Sequence, residues 1–278
     1  MDALEAWERA IDHARAAAIP RIEDDLQGMI LSAVGLGPTP VSDALPHAHE
    51  VLASAREGSL REAVAQRMLA QLLAFRGSLD EARELSDRGR ATYRSAGLLV
   101  SAAGWSMGAS VIERRAGDPE AEERILRDGY ETLRELNDRF FLPTVALYLA
   151  AAIANRSDRP VAEVDELCAV IRERTIAGDL VNFIGLDAQE ARMFAWRGSF
   201  DEAVPLARRS VEGADTTDLF DFQSRCRLVL AEVLALAGER DEPAQLAKEI
   251  LAIHEAKEDV TGAAWARARL LSLGVAVP

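Results

Sequence analysis

The chain has 278 residues, of which 49% are apolar and only 5% aromatic, and its net charge is −14. Phosphate contacts need clustered Lys and Arg, so an acidic chain without a basic run predicts no direct nucleic-acid binding. Two cysteines are too few for a disulfide framework, and the uncharged stretches are shorter than the roughly 20 residues of a membrane span, so we expect a reduced, cytoplasmic protein.

Fourteen helices are predicted from apolar residues that recur at helical spacing, with Gly, Pro, Asp or Ser near the helix ends. The composition agrees, because Ala, Leu, Glu and Arg are strong helix formers. No segment alternates strictly enough to predict a strand. In chain order the predicted helices span residues 2–18, 20–34, 40–56, 59–76, 79–96, 98–116, 119–136, 139–156, 160–175, 179–197, 201–214, 217–237, 241–256 and 259–273.

A short phrase returns about every forty residues and groups these helices into pairs. It reads Gly-Ser-Leu-Asp-Glu-Ala at its first clear occurrence. A fixed period of 20–50 residues is typical of stacked supersecondary units. The period predicts an all-α fold, a right-handed α-solenoid of about seven helix pairs, forming one repeat domain over 1–278 with a capping helix near 259–273. The phrase begins at Gly77, Gly117, Ser157, Gly198 and Gly238, and a related one begins at Gly37.

A small residue stands seven positions before each of the five main phrases, where it would let the two helices of a pair cross closely. This arrangement resembles the tetratricopeptide repeat, in which a small residue of helix A precedes Gly-x-aromatic/Leu-x-Glu-Ala at the start of helix B. The segment Gly198–Ala203 matches that pattern fully, and the forty-residue period implies helices longer than the standard 34-residue repeat. The small residues are Ala70, Ser110, Ala150, Ala191 and Ala231.

More narrowly, the chain resembles the long-period tetratricopeptide region at the C-terminal end of actinobacterial signalling regulators that carry cyclase-like or ATPase parts. It is also similar to the helical sensor region of maltotriose-type transcription regulators. The resemblance implies a scaffold and no particular chemistry, and the phosphate loop Gly-x4-Gly-Lys-Ser/Thr is absent from the sequence. It rests on Ala6–Ala10, Gly37–Ala44, Gly77–Leu85, Gly117–Ala121 and Ile253–Arg269.

Gly104-Trp-Ser-Met-Gly108 matches the Gly-x-Ser-x-Gly nucleophile elbow of α/β-hydrolases, which would make Ser106 a nucleophile. That motif needs a strand before it and a helix after it, whereas the repeat period places it inside one helix. Glycines four residues apart lie on one helix face, so we favour a packing role for them. His47 and His49 are two residues apart, which is the wrong spacing for a shared metal. We predict no metal, no cofactor and no enzymatic activity.

The repeats and the absence of a coherent catalytic set favour a non-catalytic protein-interaction scaffold or regulatory module. The alternative is a sensor that binds a peptide or small metabolite in its concave groove, and a hydrolase using Ser106 is the disfavoured second alternative. A protein or peptide partner is expected, with a small-molecule ligand as a further option. The acidic charge favours a basic or neutral partner.

The binding site is predicted on the concave faces of the helices at 98–116, 139–156 and 179–197, which should adjoin in one groove. Aromatic and Arg side chains there would supply most of the binding energy. Replacing Tyr148 and Arg192 together by Ala is expected to abolish binding and leave the helical melt nearly unchanged. The predicted site residues are Trp105, Met107, Tyr148, Asn155, Asn182, Gln189 and Arg192.

Overall fold

The computed structural model describes residues 3–17 and 19–278, and it places fifteen helices and no strand in these ranges. The all-α prediction is therefore confirmed. Positions 2 and 18 of the first predicted helix lie outside the described residues. The helices are α1 (Ala3–Ala16), α2 (Pro20–Leu36), α3 (Val41–Ser54), α4 (Leu60–Arg76), α5 (Leu79–Ser95), α6 (Leu99–Gly104), α7 (Ser106–Ala116), α8 (Pro119–Glu135), α9 (Leu142–Ala154), α10 (Val161–Arg174), α11 (Leu180–Trp196), α12 (Phe200–Ala214), α13 (Phe220–Leu236), α14 (Asp241–Lys257) and α15 (Val260–Ser272).

The helix predicted over 98–116 is divided at Trp105 into α6 and α7, which accounts for the fifteenth helix. Trp105 keeps right-handed helical angles, with φ −59° and ψ −21°, so the division is a bend in one path. Gly104 lies against the Phe141 ring, where a Cβ would come within 2.8 Å, and Gly108 lies against Gln71. The two glycines of the elbow-like motif are therefore sites of close packing.

The recurring phrase forms the turn inside each helix pair. Gly77, Gly117, Gly198 and Gly238 all have φ between 73° and 95°, the left-handed region in which glycine avoids a Cβ penalty. Each ends a helix, and the next helix begins two or three residues later. The glycine of the phrase thus reverses the chain, and the acidic residues after it start the following helix with favourable charge for its dipole.

The helices form two rows. An inner row contains α2, α4, α6–α7, α9, α11, α13 and α15, each in contact with the next, while α3, α5, α8, α10, α12 and α14 lie outside them. Inner helices are apolar nearly all round, as in α9, where eleven of thirteen residues are buried. The small residues before the phrases are each at most 1% exposed, which permits the close approach of the two rows. The predicted solenoid of stacked helix pairs is confirmed.

The end of the solenoid contacts its beginning, because α15 packs against α4 and α7 as well as α13. We call the residues Lys257, Glu258 and Thr261, which join α15 to the first repeats, the clasp. Lys257 Nζ donates to the backbone oxygens of Val34 and Thr39 at 2.9 and 2.6 Å.

The other two clasp residues extend the same junction. Glu258 accepts hydrogen bonds from the Ser42 amide and hydroxyl and pairs with Arg76 at 3.0 Å. Thr261 Oγ1 donates to the Ala74 carbonyl at 2.8 Å. The clasp therefore connects residues about 180 to 220 positions apart in sequence.

Asp259, which lies between the clasp residues Glu258 and Thr261 in the sequence, caps the N-terminus of α15. One carboxylate oxygen accepts the Gly262 amide at 2.8 Å, and the other contacts Arg115 Nη2 at 2.7 Å and His254 Nδ1 at 2.9 Å. Burial opposes the charge on Asp259, but the Arg115 guanidinium and the hydrogen bond with His254 together outweigh burial and lower the pKa of the carboxyl. The position of α15 depends on this one carboxylate.

Gly262→Ala is expected to destabilise the fold by about 3 kcal/mol or more, because a Cβ there would lie 2.0 Å from Asp259 Oδ2 and 2.6 Å from His254 Nδ1. Gly28→Ala is the matched control, since its Cβ would meet only Val64 at an ordinary 3.5 Å and Ala favours the interior of α2 by about 1 kcal/mol. Urea unfolding followed by circular dichroism measures both variants. Equal stability of the two variants would contradict the assigned role of Asp259.

The clasp is also expected to respond to pH. Burial lowers the pKa of Lys257 from 10.5 to about 8, although Asp259 opposes the shift. The unfolded chain therefore binds more protons than the folded chain between these values, and stability rises with pH through that window. The free energy of unfolding should increase by about 2 kcal/mol from about pH 8 to about pH 10 relative to Lys257→Met. Lys248→Met, at an exposed lysine, should keep the wild-type slope, and parallel curves for all three proteins would refute the assignment.

Candidate ligand site inside the solenoid

The seven predicted site residues do not form one exposed groove. Asn155, Gln189 and Arg192 line a shared cavity between α9, α11, α13 and α15, and Tyr148 reaches it through a contact with Arg225. Trp105, Met107 and Asn182 lie elsewhere. The structure therefore brings four of the seven residues together and places three apart from them.

Trp105 was expected on the concave surface, but its side chain is buried, so the predicted exposure is wrong. Its indole Nε1 donates to Ser86 Oγ at 3.3 Å, and the ring stacks at a tilt on Tyr93 with centroids 5.2 Å apart. Gly89 leaves the space for this ring, since a Cβ there would come within 2.7 Å of it. The bend between α6 and α7 directs Trp105 into the packing between α5 and α7.

Asn182 is also fully buried, so its predicted exposure is wrong for a similar reason. Its amide donates to Asp179 Oδ2 at 2.7 Å and to Thr144 Oγ1 at 3.1 Å, which ties the start of α11 to α9. Met107 is half-buried and packs against the apolar core around α9. These contacts account for both residues as parts of the packing between neighbouring repeats.

Arg192 and Glu232 form a buried ion pair at the cavity. Arg192 Nε lies 3.1 Å from Glu232 Oε2, and Arg192 Nη2 donates to Asn155 Oδ1 at 3.2 Å. Glu232 also accepts from Arg269 and from the indole of Trp196, both at 3.3 Å. Two arginines therefore share one carboxylate, and Arg269 further donates to the Asn155 carbonyl at 3.2 Å.

A second buried network adjoins the first. Asp221 accepts from Arg114 at 2.9 Å and from Arg115 at 2.7 Å, and Arg115 continues to Asp259. Burial opposes the charge of Asp221, but the guanidinium groups of Arg114 and Arg115, with a smaller effect from Arg225, hold the pKa of its carboxyl far below the usual range. Glu122 lies 3.7 Å from Arg114, and burial raises the pKa of this carboxyl. The interior of the solenoid is thus charged, in contrast to the apolar packing between its two rows.

The cavity adjoins a larger groove beside the C-terminal end of α9. The cavity itself has about 20 Å³ available to water, which is room for one or two molecules. The groove has a volume of about 730 Å³ and shares Arg114, Asn155, Trp265 and Arg269 with the cavity lining. A ligand could therefore occupy the groove and place one small group in the cavity.

Ser106 does not have the surroundings of a nucleophile. It is fully buried at the start of α7, its hydroxyl has no hydrogen-bond partner, and α6 precedes it where a hydrolase would have a strand. The glycine at 129 makes room for it, since a Cβ there would lie 2.2 Å from Ser106 Oγ. The hydrolase hypothesis for Ser106 has no support in this geometry.

Ser224, His254 and Asp259 have the spacing of a catalytic triad, which the sequence analysis did not identify. Ser224 Oγ lies 2.8 Å from His254 Nε2, and His254 Nδ1 lies 2.9 Å from Asp259 Oδ2. All three side chains are at most 1% exposed, and Asp259 is engaged in capping α15. A triad needs an open position beside the serine for a carbonyl and its oxyanion donors, so this set is a buried structural network.

Within the described ranges, no group of three or more His, Cys, Asp and Glu side chains is arranged to hold a metal ion. No helix in the same part of the chain combines the length and the apolar character needed to cross a bilayer.

Solved structures that share the fold include the apo form of the quorum sensor NprR from B. thuringiensis, with a TM-score of 0.51 at 12% identity over 97% of this chain and 78% of NprR. The nearly identical TPR-like repeats of a kinesin light chain from Podosopora anserina have a TM-score of 0.48 at 19% identity, over 72% of this chain and 97% of that chain. BtubC from P. vanneervenii has a TM-score of 0.48 at 17% identity, over 78% of this chain and 92% of BtubC. No protein-family model matches the sequence, and no curated protein matches it. The likeness to NprR supports the α-solenoid fold.

Arg192→Ala is expected to destabilise the protein by about 3 kcal/mol, because it leaves part of the charge of buried Glu232 uncompensated. Arg208→Ala is the control, since its ion pair with Glu242 is exposed and should contribute less than about 1 kcal/mol. Urea unfolding of both variants measures the difference. The earlier expectation that Tyr148→Ala with Arg192→Ala leaves the melt unchanged is revised accordingly, and similar stabilities of Arg192→Ala and Arg208→Ala would contradict the revision.

Proposed function

We propose that this chain is a non-catalytic interaction scaffold that presents an apolar edge to a protein partner. One observation supports the proposal most directly. Four inner helices, α4, α6, α11 and α15, begin with a large apolar side chain that is 44% to 62% exposed, and a phenylalanine two residues before α9 is 68% exposed. The first four of these five positions are about forty residues apart, and the fifth follows after eighty, because α13 begins with the buried Phe220. We call these residues the apolar edge, and they are Leu60, Leu99, Phe140, Leu180 and Val260.

The edge follows from the repeat. Inner helices are separated by antiparallel outer helices, so their N-termini lie on the same side of the stack. Large apolar side chains at equivalent positions therefore make a row, whereas isolated exposed apolar residues are normal on any surface. Phe183 and Ile176, both exposed beside Leu180, widen this row near α11. A row of apolar anchors favours a protein partner.

Other observations support a role in binding rather than catalysis. Helix α15 packs against the concave side, and the serines at 106 and 224 are buried. NprR, which shares the fold, is a quorum sensor, so regulation is a use that this architecture supports. The resemblance of the sequence to cyclase- and ATPase-linked regulators would place the chain in the cytoplasm beside such a signalling part. A ligand sensor is the second candidate, and the charged interior cavity favours it.

Replacing Phe140 and Leu180 together by Ser is expected to reduce partner capture by about tenfold or more, because interface anchors of this kind carry much of the binding energy. Stability should change by about 0.5 kcal/mol per site or less, since both side chains are exposed. Leu271→Ser is the matched control, an exposed leucine outside the edge. Cross-linked affinity capture from lysate of the source cells, with quantitative mass spectrometry, compares the three proteins.

Selective loss of a stoichiometric partner in the double variant supports the proposal. Capture of the same proteins by the wild type, the double variant and Leu271→Ser would refute the apolar edge as the interface. Absence of any protein captured by the wild type above an unloaded resin would refute the scaffold itself.

A further inference from the structure

Arg225 is a cation without an ion pair at the cavity. Its guanidinium lies over the Tyr148 ring at 4.7 Å, and the described residues give it no hydrogen bond or carboxylate contact. The other arginines that line the cavity, Arg114, Arg192 and Arg269, each contact a carboxylate. The charges of Asp221 and Glu122 act on Arg225 from beyond contact distance. A charge-assisted hydrogen bond needs direct contact, so this half-buried guanidinium still has donors that favour an anion.

The charges around the cavity point the same way. Five arginines of the interior, at 114, 115, 192, 225 and 269, face four carboxylates, at 122, 221, 232 and 259. Burial lowers the pKa of Arg192, and the charges of Arg269 and Arg225 lower it further against the effect of Glu232. Positive charge thus accumulates at this point, although the whole chain has a net charge of −14.

Unpartnered polar atoms belong to the same lining. Gln189 is 3% exposed and its Oε1 has no hydrogen-bond partner, and the Nε atoms of Arg114 and Arg269 are likewise buried and unpaired. Buried polar atoms normally have partners, so each of these calls for an explanation. A carboxylate in the cavity would accept from the arginine donors, and a neighbouring N–H of the same ligand would satisfy Gln189.

The groove that leads to the cavity has the opposite character at its outer part. Glu120, Glu123 and Asp158 line its outer part, against the single arginine Arg156, which pairs with Asp158 at 2.6 Å. A ligand that follows the groove inward passes from carboxylates to the arginines around Arg225. Such a gradient suits a molecule with a cationic group at one end and an anionic group at the other.

We propose that the cavity binds the carboxylate of a zwitterionic ligand through Arg225, and that the cationic group of this ligand lies in the acidic groove. The size of the cavity admits a carboxylate, and the groove has room for the rest of the molecule. A free basic amino acid and a short peptide with a basic first residue both have this chemistry. The site is independent of the apolar edge, so either proposal can fail alone.

Saturation-transfer NMR with four probes tests the site. The probes are L-lysine, the tripeptide Lys-Ala-Ala, and the C-terminal amide of each. A charge-assisted hydrogen bond contributes about 1.5–3 kcal/mol, so the wild type should bind at least one free acid about tenfold more tightly than its amide. Arg225→Gln should lose this preference. Arg227→Gln, two residues further along α13 and paired with Asp215 and Glu249, should keep it.

Preference for lysine identifies a free amino acid as the class of ligand, and preference for the tripeptide identifies a peptide. Equal binding of acids and amides would overturn the proposal, as would an unchanged preference in a folded Arg225→Gln variant. No binding of either acid to the wild type up to about 10 mM would overturn it too. The Phe140→Ser, Leu180→Ser variant should retain the carboxylate preference, which separates this test from that of the interaction scaffold.

Discussion

The buried contact between Asp259 and Arg115 is the interaction on which the closed solenoid depends. The two side chains are completely inaccessible to solvent, lie 2.7 Å apart and are 144 residues apart in sequence. Removing one partner of such a pair typically costs about 3–5 kcal/mol, because it strands a buried charge. Asp259 also caps α15, and Arg115 also contacts Asp221 on α13. One carboxylate and one guanidinium therefore fix where the last helix meets the third inner helix and the sixth.

This closure gives the protein two different kinds of interior. Between the two rows of helices the packing is apolar and close, as in α9 with its small and branched side chains. Inside the inner row, α15 meets α4, α7 and α13 through ion pairs and hydrogen bonds. Polar contacts are directional, so they set the register of the two ends more narrowly than apolar contacts would. The same contacts place an arginine-lined cavity where an open solenoid would have an accessible concave face.

Local sequence signals made the helix pairs predictable. No local signal indicates that the end of the solenoid contacts its beginning, so this closure was not predictable. The phrase glycines and the small residues before them act within one repeat, and the structure uses them as expected. Arg192 and Glu232 each stand six positions before a phrase glycine, so their opposite charges at equivalent positions of adjacent inner helices could have predicted their pairing. Nothing local encodes the superhelical pitch that brings Lys257 to Val34. Asp259, Arg225 and the burial of Trp105 depend on that pitch or on the bend at α6, and the sequence analysis missed them.

The clasp contains a lysine, whereas the interior network contains arginines, and the two residue types respond differently to pH. Only two of the 32 basic residues are lysines, and all of the cations in the interior network are arginines. Arginine keeps its charge at any physiological pH and presents a planar set of donors that matches carboxylates. Lys257 instead donates to two backbone carbonyls and has no carboxylate at hydrogen-bond distance, so it can lose its proton without breaking an ion pair. Proton uptake near pH 8 therefore acts on the junction of the two ends, while the arginines around Arg225 keep their charge. A ligand bound in the cavity would therefore meet the same arginine charges whether Lys257 is protonated or neutral.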